Sequence, residues 1–136
     1  DFEICAIAGM DVNPSQPTDL TVCEAAALEV LNSGKMQLLA VHFPEGAFAI
    51  TRQGNIFKKS SVAIPNEEII GTNGAGDAFA AGFLYALHEN MDVETAIRLG
   101  HATAATSVRG IGTSDTVESY KRCLEIADEW GWRDAV

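Results

Sequence analysis

Positive charge is scarce in these 136 residues: nine Lys and Arg stand against nineteen Asp and Glu, for a formal net charge of −10. Nucleic-acid backbones and anionic membrane surfaces are met by clustered Lys and Arg, so this balance argues against either as a partner. Cysteine is sparse too. Cys5, Cys23 and Cys123 are odd in number, far apart and without a C-x-x-C spacing, which argues against a disulfide framework or a zinc site and for a reducing compartment. His42 and His88 are too isolated to seed a metal cluster. No apolar run approaches transmembrane length, and the acidic, polar-interrupted start has no signal-peptide layout. A soluble cytoplasmic protein is expected.

What is present is enough apolar material, 47% of residues, to build a core. No repeat, low-complexity tract or linker interrupts it, so one domain over residues 1–136 is expected. Thr21-x-x-Glu24 reads as a capping box for a helix to about Leu31, followed by Gly34 as a left-handed cap. Leu38–His42 and Ala47–Thr51 read as strands around a Pro44-Glu45-Gly46 turn, with weaker strands over Ile56–Lys59 and Ser61–Ile64. A helix from Met91-Asp92 to about Arg109, capped by Asp92 or Asn90, and a last helix from Asp115-x-x-Glu118 complete an alternation typical of α/β chains. Lys58-Lys59 reads as a solvated strand edge, and Arg109 as the cation that a helix C-terminus favours.

The most telling run is Thr72-Asn73-Gly74-Ala75-Gly76-Asp77-Ala78-Phe79. Gly74 and Gly76 leave main-chain amides unshielded, and the helix that follows adds its positive end, which suits an anion such as a phosphoryl group. Such turns are also ordinary helix starts, with Asp favoured in the first turn by the dipole. Yet a carboxylate beside an anion cradle is repelled unless it has work, and taking the proton of an attacking hydroxyl is such work. Phe79, Phe83, Leu84 and Leu87 are expected to form one apolar face of this helix. Ala78, Ala81 and Gly82 are expected to keep the opposite side thin.

Gly74-Ala75-Gly76-Asp77-x-Phe79, continued by Ala81-Gly82-Phe83-Leu84, resembles the signature of the PfkB (ribokinase-like) family of carbohydrate and nucleoside kinases. Val108-Arg109-Gly110-Ile111-Gly112 is similar to that family's closing segment. The resemblance implies an α/β fold, the C-terminal part of a ribokinase-like α/β/α three-layer sandwich with a mostly parallel sheet. Nothing in the chain resembles the family's N-terminal half, which bears the acceptor site and a β-sheet lid. The implied activity is ATP-dependent phosphorylation of a hydroxyl on a small sugar, with a nucleoside as the alternative because Thr72-Asn73-Gly74 looks somewhat like adenosine-kinase relatives. A non-catalytic nucleotide-binding fragment is the remaining alternative.

By the same resemblance Asp77 is the catalytic base, and Gly74, Ala75 and Gly76 form the anion hole. Asn73, Gly46 and His101 are nucleotide-binding candidates, Gly46 being the one glycine kept where the family has T-x-G-x-x-G. ATP and Mg2+ are the implied cofactors, with no residue assigned as a metal ligand. Gly71 stands where the family often has an Asp that helps hold a monovalent cation, so potassium activation is not expected. The family's N-x-x-E motif is missing: Asn66-Glu67-Glu68 follows the strand rather than preceding it and reads as loop. A homodimer of the full-length protein is also implied.

Overall fold

Asp19, rather than Thr21, opens the first long helix. The computed structural model describes residues 2–11 and 19–136; Asp1, at the head of the acidic start, lies outside the described residues. The backbone divides into two compact units, Asp1–Phe43 with Ala47–Phe57, and Pro44–Gly46 with Lys58–Val136.

The first unit holds α1 (Phe2–Ile7), α2 (Leu20–Ser33), β1 (Leu38–Phe43) and most of β2 (Gly46–Thr51). Asp19 Oδ1 accepts from the amides of Thr21 and Val22 at 3.0 and 3.3 Å. A carboxylate in that position gains from the helix dipole as well as from the hydrogen bonds, which a Thr hydroxyl does not. At the other end Gly34 is extended, with φ −98 and ψ −170, and not left-handed as the sequence suggests. The Arg52 guanidinium caps this end instead, donating to the carbonyls of Leu31, Gly34 and Met36 at 2.8–2.9 Å and satisfying acceptors that a helix terminus leaves open.

Cys5 and Cys23 face each other across α1 and α2, with Sγ atoms 3.9 Å apart. Burial, helped by the Cys5 hydrogen bond, pushes the Cys23 thiol up to about 11.

The strands are ordered β1–β2–β3, with β3 at Ile56–Ser60. Turns as short as Pro44-Glu45 and Arg52–Asn55 join only antiparallel neighbours, so these three strands form a meander and not the mostly parallel arrangement expected. The weaker strand over Ser61–Ile64 is reduced to a single antiparallel bridge between Val62 and Trp132.

In the second unit, a short 3-10 turn at Asn66–Glu68 precedes α3 (Ala75–His88), α4 (Val93–Ser107) and α5 (Tyr120–Trp130). The buried face of α3 is Ala78, Phe79, Gly82, Phe83 and Ala86. Small and large residues therefore share the inner stripe, Leu84 is 62% exposed and Ala81 lies outside. Phe79 and Phe83 stack at 6.0 Å. The ring of Phe79 sits over Gly100, where a Cβ would come within 2.9 Å of it, and a Cβ on Gly82 would come within 2.8 Å of the Leu99 carbonyl oxygen. Each helix thus offers a glycine to the other's bulk, which lets α3 and α4 approach closely and fixes the direction of α3.

Asn90, at φ +59, turns the chain between the two helices, and Asp92 caps α4 through the Thr95 amide at 2.8 Å. The last helix is capped by Ser119, four residues later than Asp115 suggests. Trp130 and Trp132 pack against the cluster of Val62, Ala102, Ala105, Cys123 and Ala127.

The Thr95 backbone amide, then its hydroxyl, hold the Asp92 carboxyl below the usual aspartate range. A carboxyl whose folded value is depressed stabilises fully above its unfolded value and loses that contribution as pH falls through the folded one. The thermal advantage of the native chain over Asp92→Ala is therefore expected to be complete at neutral pH. It shrinks once the pH drops below the ordinary aspartate value of about 3.9, as circular-dichroism melts across the acid range would show.

Candidate functional site

The turn before α3 is built by two stretches of the second unit lying side by side. The amides of Ile70 and Gly71 both donate to the Val108 carbonyl, at 2.8 and 3.1 Å. A Cβ on Gly71 would stand 2.9 Å from the Gly110 carbonyl oxygen, and one on Gly74 would stand 2.6 Å from Thr113 Cβ and 2.9 Å from Thr113 Cα. Gly74 is also the N-cap of α3 at φ +79, a left-handed conformation that side chains resist. Sterics and dihedral both demand glycine there.

From this cap the main-chain donors can be counted. The Ala78 amide makes the first helical bond, to the Gly74 carbonyl at 2.8 Å, and the Ala75 amide turns back to the Thr72 carbonyl at 3.3 Å. Among the described residues, the amides of Gly76 and Asp77 have no main-chain carbonyl acceptor. These are the open N–H groups that every helix start presents. The amides of Gly76 and Asp77 are thus open, while that of Ala75 is partly engaged by the Thr72 carbonyl. The Asp77 side chain is exposed in the first turn, clear of the apolar interior. Asn73 is exposed beside it.

The other nucleotide candidates sit differently. His101 is 5% exposed, and its ring meets the Phe79 ring edge-on at 5.0 Å, which makes it part of the layer beneath the turn. Gly46 begins β2 where a Cβ would come within 2.6 Å of the Lys59 carbonyl oxygen and 2.9 Å of a Val136 methyl, so close packing alone requires a glycine. Arg109 pairs with Glu118 at 3.1 Å and Glu68 at 3.6 Å, consistent with a structural cation. Thr113 was not marked by any motif; only the neighbouring Gly110-Ile111-Gly112 spacing signals that this loop must come close to something.

A phosphoryl group fits the turn: open amides stand in the first turn of a helix, beside a glycine whose Cβ position is taken by Thr113. Among the described residues, no group of three or more His, Cys, Asp or Glu could hold a metal ion. Magnesium fits only in the form in which it enters with the phosphates of a nucleotide, and not in a protein cage. Gly71, set at a monovalent-cation position by the family resemblance alone, has its Cβ direction closed by the Gly110 carbonyl. No helix among the described residues is long and apolar enough to cross a membrane.

The pfkB family carbohydrate kinase profile matches residues 2–119, and the chain belongs to that family. It is 30% identical over 89 residues to adenosine kinase of Schizosaccharomyces pombe, covering 65% of this chain and 26% of that protein. It is 33% identical over 98 residues to 5-dehydro-2-deoxygluconokinase of Listeria innocua, covering 69% of this chain and 29% of that protein. The chain therefore spans little more than a quarter of these curated relatives.

Among solved structures, Arabidopsis thaliana ribokinase complexed with ribose and ATP superposes with a TM-score of 0.79 at 20% identity, over 93% of this chain and 38% of that one. Escherichia coli phosphofructokinase-2 in complex with potassium gives 0.71 at 25% identity, over 95% and 38%. The fold is thus part of a ribokinase-like α/β architecture.

Proposed function

We propose that residues 1–136 are the C-terminal, nucleotide-binding portion of a kinase that moves the terminal phosphoryl group of ATP to a hydroxyl of a small sugar. The observation that carries this reading is the pair of open amides at Gly76 and Asp77 beside an exposed carboxylate. Asp77 takes the proton of the attacking hydroxyl, and the Gly76 and Asp77 amides receive the charge that spreads over the phosphoryl oxygens. Mg-ATP, when bound, supplies the transferable group and neutralises part of its charge. Gly74 keeps the approach to the amides clear, and Asn73, at the corner of the turn, contacts the nucleotide. His101 acts through Phe79, fixing the floor on which the turn rests.

The family's own description and the match to a deoxygluconokinase favour a sugar acceptor. The match to an adenosine kinase favours a nucleoside as the second reading. The acceptor-binding residues belong to the portion of the relatives that this chain does not span, and Ile70 and Ile111, 63% and 80% exposed, are apolar surface for that portion to cover. Release of ADP from ATP by the intact protein, screened over sugars and nucleosides, tests the reading: a sugar should give the highest turnover. A preference for a nucleoside would replace it with the second reading. Absence of transfer to any acceptor, together with no thermal shift by Mg-ATP, would leave a non-catalytic fragment.

A further inference from the structure

The chain from Val108 to Thr113 touches the catalytic turn at three successive points. The Val108 carbonyl takes the Ile70 and Gly71 amides, the Gly110 carbonyl closes over Gly71, and Thr113 lies against Gly74. This stretch is itself fixed at both ends. Arg109 ties it to Glu68 on one side and Glu118 on the other, and the Thr116 hydroxyl donates to the carbonyls of Thr106 and Ser107, at 2.9 and 3.1 Å. Between these anchors the Asp115 carboxylate folds back beside Gly112, where a Cβ would come within 2.6 Å of it. Thr113 is thus carried on a tethered loop, and the residue it meets is the one whose left-handed conformation aims the first amides of α3.

We propose that Thr113 is a positioning residue for phosphoryl transfer, bracing Gly74 through its Cβ and methyl group so that the Gly76 and Asp77 amides point at one place. The proposal rests on the kinase reading above. A hydroxyl is not what the contact uses: the atoms nearest the Gly74 Cβ position are Thr113 Cβ, Cα and Cγ2. Without the brace the cap can rock about Gly74, a residue with no side chain to hold it. Small misplacements of transition-state donors are costly, because their effect depends on pre-set geometry.

The test compares Thr113→Gly, Thr113→Val and the native residue in the intact protein. Thr113→Gly should lower kcat about 10- to 100-fold with the KM for ATP little changed. It should also accelerate hydrogen exchange at the Ala78 amide, which bonds to the Gly74 carbonyl, while the Ile70 and Gly71 amides on Val108 stay protected. Thr113→Val keeps the shape without the hydroxyl and should behave as native. If Thr113→Val is as impaired as Thr113→Gly, the hydroxyl matters and the brace is wrong. If Thr113→Gly leaves both kcat and Ala78 exchange unchanged, or exposes Ile70 and Gly71 together with Ala78, the contact is ordinary packing and the proposal falls. Exchange requires no turnover, so failure of the kinase reading, seen as absence of phosphoryl transfer to any sugar or nucleoside by the native protein, is a separate result.

Discussion

Replacing Asp77 by Asn in the intact protein should reduce kcat by about 10²- to 10⁴-fold, the usual contribution of a general base, while leaving Mg-ATP affinity close to native. The side chains are nearly isosteric, and the amide is exposed where the carboxylate was, so neither packing nor the helix start gives a reason for loss of fold. Asn is itself tolerated near helix N-termini. What the substitution removes is the ability to accept a proton. Because the Gly76 and Asp77 amides belong to the main chain, the donors toward the phosphoryl oxygens remain. The expected signature is a fall in kcat and in kcat/KM together, the mark of an interaction made only in the transition state. A parallel rise in the KM for ATP with kcat preserved would instead make Asp77 a ligand-binding residue.

Gly74→Ala should be the most damaging single methyl in the turn. A left-handed alanine costs about 1–2 kcal/mol, and forcing a Cβ into Thr113 adds about 1–3 kcal/mol of overpacking. Gly54 provides the control. It too has positive φ, at +87, but nothing lies within 4 Å of its Cβ position, so Gly54→Ala carries the dihedral cost alone. Denaturant unfolding should therefore show a larger loss for Gly74→Ala than for Gly54→Ala, and only Gly74→Ala should abolish the thermal shift produced by Mg-ATP. Equal losses at the two positions would mean that the Thr113 contact is slack and that the turn is held by other means.

The start of α3 was legible in the sequence because its physics is local. Two glycines, a small-residue helix and one acidic residue within eight positions declare a helix start that leaves amides bare, whatever surrounds it. Asp92 was readable as a cap for the same reason, since the bond spans three residues. Contacts from distant parts of the chain were not readable. Arg52 ends α2 from some twenty residues away, so Gly34 never needed the left-handed form that its position suggested. Thr113 reaches Gly74 across α3 and α4, and no periodicity links the two. The inner face of α3 does not follow hydrophobic size: Ala78, Gly82 and Ala86 are buried beside Phe79 and Phe83. With α4 offering Gly100 to Phe79, the helices meet through glycines as much as through large side chains, and Leu84 is left outside.

Two open main-chain donors at the head of α3 are the centre of this account. Following the ¹⁵N–¹H resonances of Gly76 and Asp77 while Mg-ATP is added to the intact protein tests them directly. Saturable shifts at these two amides, larger than at Ala75, whose N–H already faces the Thr72 carbonyl, are the predicted result. Resonances that stay still while the nucleotide binds, or that move no more than those of amides inside α5, would contradict it.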